Sequence, residues 1–143
     1  MARIFAYFLL LILISGTTQA AEPEMLKERM NAWEKQMIAF QSALYRHEFK
    51  KMADAMHAIE NSGALPPRVS GALKSSLEEQ DYKDYMKLDK FIRGSATVVA
   101  EQAEEGNVQK LLMHQGRLLM TCIQCHDMFM MKAASAMQGA AAQ

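Results

Sequence analysis

An apolar stripe begins just after residue 24, and its spacing is compatible with little except helix. The apolar residues follow one another at alternating intervals of four and three: Leu26, Met30, Trp33, Met37, Phe40 and Leu44. Such spacing places all of them on one face of an α-helix, which then packs against a core. We predict a first helix over residues 24–45 and find almost no strand signal in the sequence that follows.

The stripe loses its phase after Leu44 and restarts at Phe49, because His47 and Glu48 occupy the positions where the next apolar residue is due. The second stripe comprises Phe49, Met52, Met56 and Ile59. We therefore predict a second helix over residues 47–61 rather than one continuous helix, with Gly63 as its stop. Two prolines then break the pattern, and Val69, Leu73 and Leu77 are spaced for a short helical cover.

Two further helices follow. Asp81 is the expected N-cap of the third, which ends at Gly106, and Asn107 is the expected N-cap of the fourth, which extends to about residue 131. The third stripe contains Tyr85, Leu88, Ile92, Ala96, Val99 and Ala103. The link between the third and fourth helices, at Gly106 and Asn107, is so short that it makes these two helices antiparallel neighbours. The sequence thus predicts an all-α fold, an antiparallel up-down-up-down four-helix bundle over residues 21–143, with an Ala-rich tail that frays.

The two cysteines lie on the fourth stripe in the sequence Cys122-Ile-Gln-Cys125-His126. A C-x-x-C-H motif is typical of covalent haem c attachment. Two thiols about one helical turn apart can each form a thioether with a haem vinyl group, and His126 shares their face and can ligate the iron. The alternatives are a dithiol redox pair, a disulfide, or part of a zinc site, for which His114 is the only nearby further ligand.

The amino terminus has the pattern of a signal peptide. Arg3 precedes an apolar run over residues 4–14, which is too short to span a bilayer, and small residues lead up to Ala20. We predict a cleaved signal peptide over residues 1–20, with an uncleaved membrane anchor as the alternative. Export agrees with the haem motif, because c-type haem is attached outside the bacterial cytoplasm.

The rest of the sequence gives no sign of an enzyme or of a nucleic-acid-binding protein. The chain has 16 basic and 16 acidic residues and no basic run, so nothing suggests a nucleic-acid partner. It also lacks a nucleophile–base pair and a glycine-rich phosphate loop. The mature chain is not expected to span a membrane.

The bundle topology predicts which residue lies opposite His126. In an up-down-up-down bundle, the end of the last helix lies beside the start of the first, where Met30 is on the inward stripe. Met25 falls off that stripe, and Met37 lies about two turns further along it. We therefore predict Met30 as the sixth iron ligand, although Met30 could instead only pack against the ring and leave the iron five-coordinate.

These features together resemble the class II cytochromes c, the cytochrome c′ family, over nearly the whole mature chain. The resemblance depends on four helices, on C-x-x-C-H near the carboxyl terminus, on an early methionine in the first helix, and on the stretch from Cys125 to Phe129, which matches the family ending C-H-x-x-F. It implies a periplasmic protein with one covalent haem c on Cys122 and Cys125, and with His126 as the proximal iron ligand. Low-spin members have a methionine at the sixth position, a role that would fall to Met30.

The expected function is that of a mono-haem c-type cytochrome that carries single electrons to redox partner proteins. The alternative is a five-coordinate cytochrome c′-type protein that binds NO or CO. The family often forms dimers through its first two helices, which makes a homodimer of this kind a further expectation.

Overall fold

The structure is a computed structural model that describes the backbone of residues 21–141 and the side chains of residues 24–129 and Lys132. The described chain is helical and contains no strand. Its five helices are α1 (Ala21–Tyr45), α2 (Phe49–Glu60), α3 (Pro67–Ser76), α4 (Glu79–Glu104) and α5 (Val108–Ala141). The predicted all-α class is therefore confirmed, whereas the predicted signal peptide over residues 1–20 lies outside the described residues.

The break between α1 and α2 is built by His47, which adopts a left-handed backbone conformation with φ of 56°. The Glu48 N–H donates to the Ala43 carbonyl at 3.0 Å, and the His47 N–H donates to the Leu44 carbonyl at 3.1 Å. This pair of bonds is the Schellman ending of a helix. The sequence predicted that α2 begins at residue 47. The left-handed conformation of His47 explains why the helix begins at Phe49 instead.

Gly106 ends α4 in the same way, with φ of 67° and the bond from the Asn107 N–H to the Gln102 carbonyl at 3.0 Å. Asn107 then caps α5, because its Oδ1 accepts from the Lys110 N–H at 3.2 Å, as predicted. The predicted cap of α4 was wrong. That helix begins at Glu79 after Glu78, which leaves Asp81 within its first turn.

The predicted short cover is helix α3, which buries Val69 and Leu73 and is followed by the buried Leu77. Helix α5 is longer than predicted, since its backbone stays helical beyond residue 131 as far as Ala141. Alanine is the strongest helix former, so an Ala-rich segment that continues an existing helix can extend it at little cost.

The helices pack as a chain of neighbours. In the described part of the molecule, the extensive backbone contacts join α1 to α2, α2 to α4, and α4 to α5, while α3 lies against α1, α4 and α5. Helices α1 and α5 approach each other closely at hardly any point. The fully buried side chains are concentrated on α2 and α4 and on the faces of α1 and α5 that meet them: Phe40, Met52, Met56, Ile59, Val99, Leu111 and Leu118.

Candidate functional site

The interior of α5 positions both cysteines and His126, well beyond the first turn of a helix that begins at Val108. Each residue turns the side chain by about 100° around the helix axis, so the three side chains occupy an arc of that width. Cys125 is buried, Cys122 is half-buried and His126 is exposed, and neither thiol takes part in a disulfide. The structure thus brings the three predicted residues onto adjoining parts of one helix surface.

Cys125 lies on the side of α5 that meets α4. Phe129, one turn further on, packs edge-on against Tyr85 with ring centroids 5.6 Å apart, and Lys132 reaches Asp81 at 2.7 Å. Burial raises the pKa of the Cys125 thiol to about 11, and the charges of Asp89 and of Cys122 when it is ionised add to the effect. Burial also raises the pKa of Cys122, so both thiols are protonated at neutral pH.

Asp89 is the least expected residue of this region, because a carboxylate that is almost fully buried normally needs a partner. Its Oδ1 accepts from the Arg29 guanidinium at 2.8 Å, and its Oδ2 accepts from Arg93 Nε at 3.2 Å. Arg29 also donates to the Gly63 carbonyl at 2.8 Å and stacks 4.6 Å from the centre of the Trp33 ring. Helix α1, helix α4 and the segment that follows α2 therefore meet at one buried charge cluster.

The contacts of this cluster and of its neighbours on α4 show which parts of α1 and α5 lie at the same level of the molecule. Asp89 contacts Arg29 of α1 directly, and Tyr85, one turn before Asp89 on α4, packs against Phe129 of α5. Met30 follows Arg29 in sequence and is half-buried against the core. The start of α1 and the segment of α5 that ends in Phe129 therefore contact neighbouring turns of α4.

The two flanks of α1 differ. One flank, together with the end of α2 and the start of α3, lines a cavity of about 260 Å³. The α1 residues that line this cavity are Met25, Arg29, Ala32, Trp33 and Gln36. Trp33 donates its indole N–H to Ser62 Oγ at 3.1 Å on this side, and it is buried as predicted. Met30 and Met37 lie toward the opposite edge of the core-facing stripe, half-buried against the core, on the flank away from the cavity.

On α5 the corresponding flank is the one that turns away from α4. Cys122 is rotated about 60° from Cys125 around the axis, and His126 about 100° in the same sense. Leu119, half-buried, belongs to this flank as well. The His126 imidazole makes no hydrogen bond or ion pair with any residue in the described range, and it is thus available to an incoming group.

The other histidines differ in their surroundings. His114 is half-buried on α5 and has no hydrogen-bond partner among the residues that the structure describes. His57 lies between two carboxylates, with Nδ1 2.8 Å from Glu60 and Nε2 3.1 Å from Glu104 of α4. These hydrogen bonds raise its pKa, a feature that the sequence did not reveal.

Side chains that would close an ordinary metal site do not converge here. Over the described side chains, no three His, Cys, Asp or Glu residues come together as possible metal ligands. Among the described helices, none has both the length and the apolar character required to cross a bilayer. Asp89 is the residue of this region that the sequence patterns missed: an acid four residues before an arginine is the ordinary pattern of a helix-surface pair, and nothing in the sequence linked it to Arg29, sixty positions away.

Compared with known proteins, the chain matches no family model, no curated protein and no solved structure. The functional interpretation therefore depends on the chemistry and placement of the residues described above.

Proposed function

We propose that the protein is a periplasmic mono-haem c-type cytochrome that carries single electrons. Cys122 and Cys125 hold one haem c covalently, His126 is the axial iron ligand, and Met30 is the sixth ligand. The periplasmic location rests on the signal-peptide pattern of residues 1–20. The observation that supports the proposal is a pair of contacts on neighbouring turns of α4: Asp89 contacts Arg29, which precedes Met30, and Tyr85 contacts Phe129, which follows the C-x-x-C-H segment.

The contacts between helices favour the antiparallel up-down-up-down arrangement that this site requires. The beginning of α4 meets the far part of α5 through Asp81 and Lys132, and the beginning of α1 meets the end of α2 through Arg29 and Gly63. In such a ring of four long helices, the flank of α1 that turns away from α2 faces the flank of α5 that turns away from α4. These flanks would contain the proposed ligands, on two helices whose backbones come close to each other at hardly any point.

The donor set fits a covalent haem better than the alternatives. Reactive dithiols usually have a thiol at a helix amino terminus, where the helix dipole lowers its pKa, whereas both cysteines here lie inside α5. A zinc site needs four ligands of its own. Haem attachment needs only the two thiols and one imidazole, because each S–H adds across a vinyl double bond with the hydrogen passing to the second vinyl carbon.

When bound, the haem supplies an iron that changes reversibly by one electron. The chain would supply the rest: Cys122 and Cys125 would hold the ring through two thioether links, and the neighbouring His126, whose imidazole is exposed, would bind the iron. A histidine–methionine pair raises the reduction potential, which suits electron transfer. Phe129 and Tyr85, packed edge-on beside Cys125, exclude water from the α4 side.

Mass spectrometry of the exported protein tests the attachment. We expect the mature chain plus the mass of one haem, a loss of one link in Cys122→Ser or Cys125→Ser, and no stable covalent product when both are replaced. Cysteines do not otherwise occur in the chain, so the double variant is a complete control. A mature chain without added mass would contradict the haem proposal.

Visible spectra of the haem protein test the sixth ligand. The reduced protein should show sharp α and β bands that do not respond to CO, and Met30→Ala should become high-spin and bind CO. Met37→Ala is the matched control, since Met37 is another half-buried methionine on the same flank. If the unmodified protein already binds CO, the iron is five-coordinate and the protein belongs with the gas-binding cytochromes c′.

A further inference from the structure

The outward face of α5 exposes an apolar surface that the haem site does not use. Its large members are 45–66 % exposed, and with a glycine between them they form what we call the outer stripe: Leu112, Met113, Gly116, Met120 and Ile123. At 100° per residue they fall within an arc of about 100°, the width of a helix-packing face. Cys125 lies on the far side of the helix from this face.

Two opposite charges lie at nearly equal axial distances from the middle of the Met120–Ile123 pair, Asp127 on the face of the outer stripe and Arg117 about 40° beyond its edge. Arg117 and Asp127 are exposed, and neither makes an ion pair or hydrogen bond through its side-chain charge within the described residues. They lie on opposite sides of the point midway between Met120 and Ile123, at about 7 and 8 Å along the axis. A two-fold axis through that point would therefore bring each Arg117 close to the Asp127 of a second copy.

We propose that α5 pairs with α5 of a second copy of this chain in an antiparallel, two-fold symmetric dimer. In this register Met120 packs against Ile123 of the other copy, and Gly116 lies opposite Asp127. A Cβ at Gly116 would meet nothing within 4 Å in the monomer, so the notch there is open to an approaching helix. Each Arg117 then forms an ion pair with an Asp127 of the other copy. This pair compensates for the hydration that the Asp127 carboxylate loses in the contact.

The outer stripe is a better candidate for this contact than the faces of α1 and α2. Helix α2 has no large exposed apolar side chain among its described residues, and the main ones on α1 are Met25, Ile38 and Tyr45. A dimer through the first two helices, as the family resemblance suggests, would have these dispersed residues as its apolar contacts. The self-complementary charges favour a second copy over an unrelated partner, which has no reason to match that spacing.

Sedimentation velocity on the haem-loaded protein over a wide concentration range tests the proposal through a charge exchange. Arg117→Glu and Asp127→Lys should each weaken dimerisation at least tenfold, because each places like charges opposite one another. The double variant reverses both charges and should restore the dimer. Lys110→Glu, also exposed on α5 but off the outer stripe, is the matched control and should leave the dimer intact.

Helical circular dichroism and haem absorbance confirm that each variant is folded. A protein that stays monomeric at every concentration overturns the proposal, as does a double variant no better than the single ones. Dissociation by Tyr45→Glu with no effect of the α5 variants also overturns it and assigns the dimer to α1.

Discussion

Two regions of the molecule differ in how completely they are buried: the contact between α2 and α4, and the parts of α1 and α5 that contain the proposed haem residues. Met52 and Met56 of α2, which packs against α4, have no exposed surface, and Ala96, Val99 and Ala100 of α4 are equally buried. On α1 and α5, by contrast, Met30, Met37 and Cys122 are half-buried and His126 is exposed.

The difference separates stability from chemistry. Small side chains on α4 let α2 approach closely and bury its methionines completely, which leaves no room for a ligand. On α1 and α5, a thiol and two thioether sulfurs are only partly covered and an imidazole is exposed, which the proposed haem site requires. Asp89 lies between these regions and joins them through its two arginines.

The difference in burial between the two regions should show most strongly when a buried methionine is truncated. Met56→Ala should lower the free energy of unfolding by about 3 kcal/mol, because it removes buried surface and leaves a cavity between α2 and α4. Met37→Ala removes the same atoms from a half-buried position and should cost no more than about 1 kcal/mol. Urea unfolding monitored by circular dichroism measures both. Equal losses would show that the α1 flank is packed as tightly as the α2–α4 contact.

Removal of the charge at Asp89 should have the next largest effect. Asp89→Asn leaves Arg29 and Arg93 without their buried carboxylate and should cost about 2 kcal/mol. Asp54→Asn is the control, since the Asp54–Lys50 pair is exposed and should contribute no more than about 0.5 kcal/mol. Should the two variants unfold at the same urea concentration, the charge cluster does not stabilise the fold.

The smallest expected effect is a pH dependence from His57, which links the ends of α2 and α4. Its pKa in the folded chain is raised by the hydrogen bonds to Glu60 and Glu104, so the stability it contributes is complete below its ordinary pKa of 6.5. That contribution, under about 1 kcal/mol for so exposed a pair, is lost as the pH rises through the raised value. His57→Gln should flatten this part of the stability profile, whereas His114→Gln should not. An unchanged profile in His57→Gln would exclude the contact as the cause.

Local patterns predicted most of the fold because they depend on neighbours in sequence. The apolar stripes located the helices, the lost phase after Leu44 located the first break, and the spacing of Val69 and Leu73 located the short cover. Helix caps were predicted less well than helix positions. Asn107 caps α5 as predicted, but Asp81 does not cap α4, because Glu78 already has the extended backbone that precedes this helix.

The candidate site divides in the same way. Spacing alone placed Cys122, Cys125 and His126 on neighbouring parts of one helix, since a helix determines where residues three and four apart must lie. The Arg29–Asp89 pair and the carboxylates around His57 join residues sixty and forty-seven positions apart. No local pattern encodes such contacts, which depend on how whole helices are set against one another.

The order in which the helices pack also bears on how the chain folds. Every extensive contact between long helices joins elements that follow one another in the chain, apart from the short α3. Such a low contact order is typical of helical domains that fold within microseconds to milliseconds. Helices α1 and α5, the first and last of the described chain, make hardly any backbone contact with each other. The contacts that hold the described helices together can therefore form without the two ends of the chain meeting.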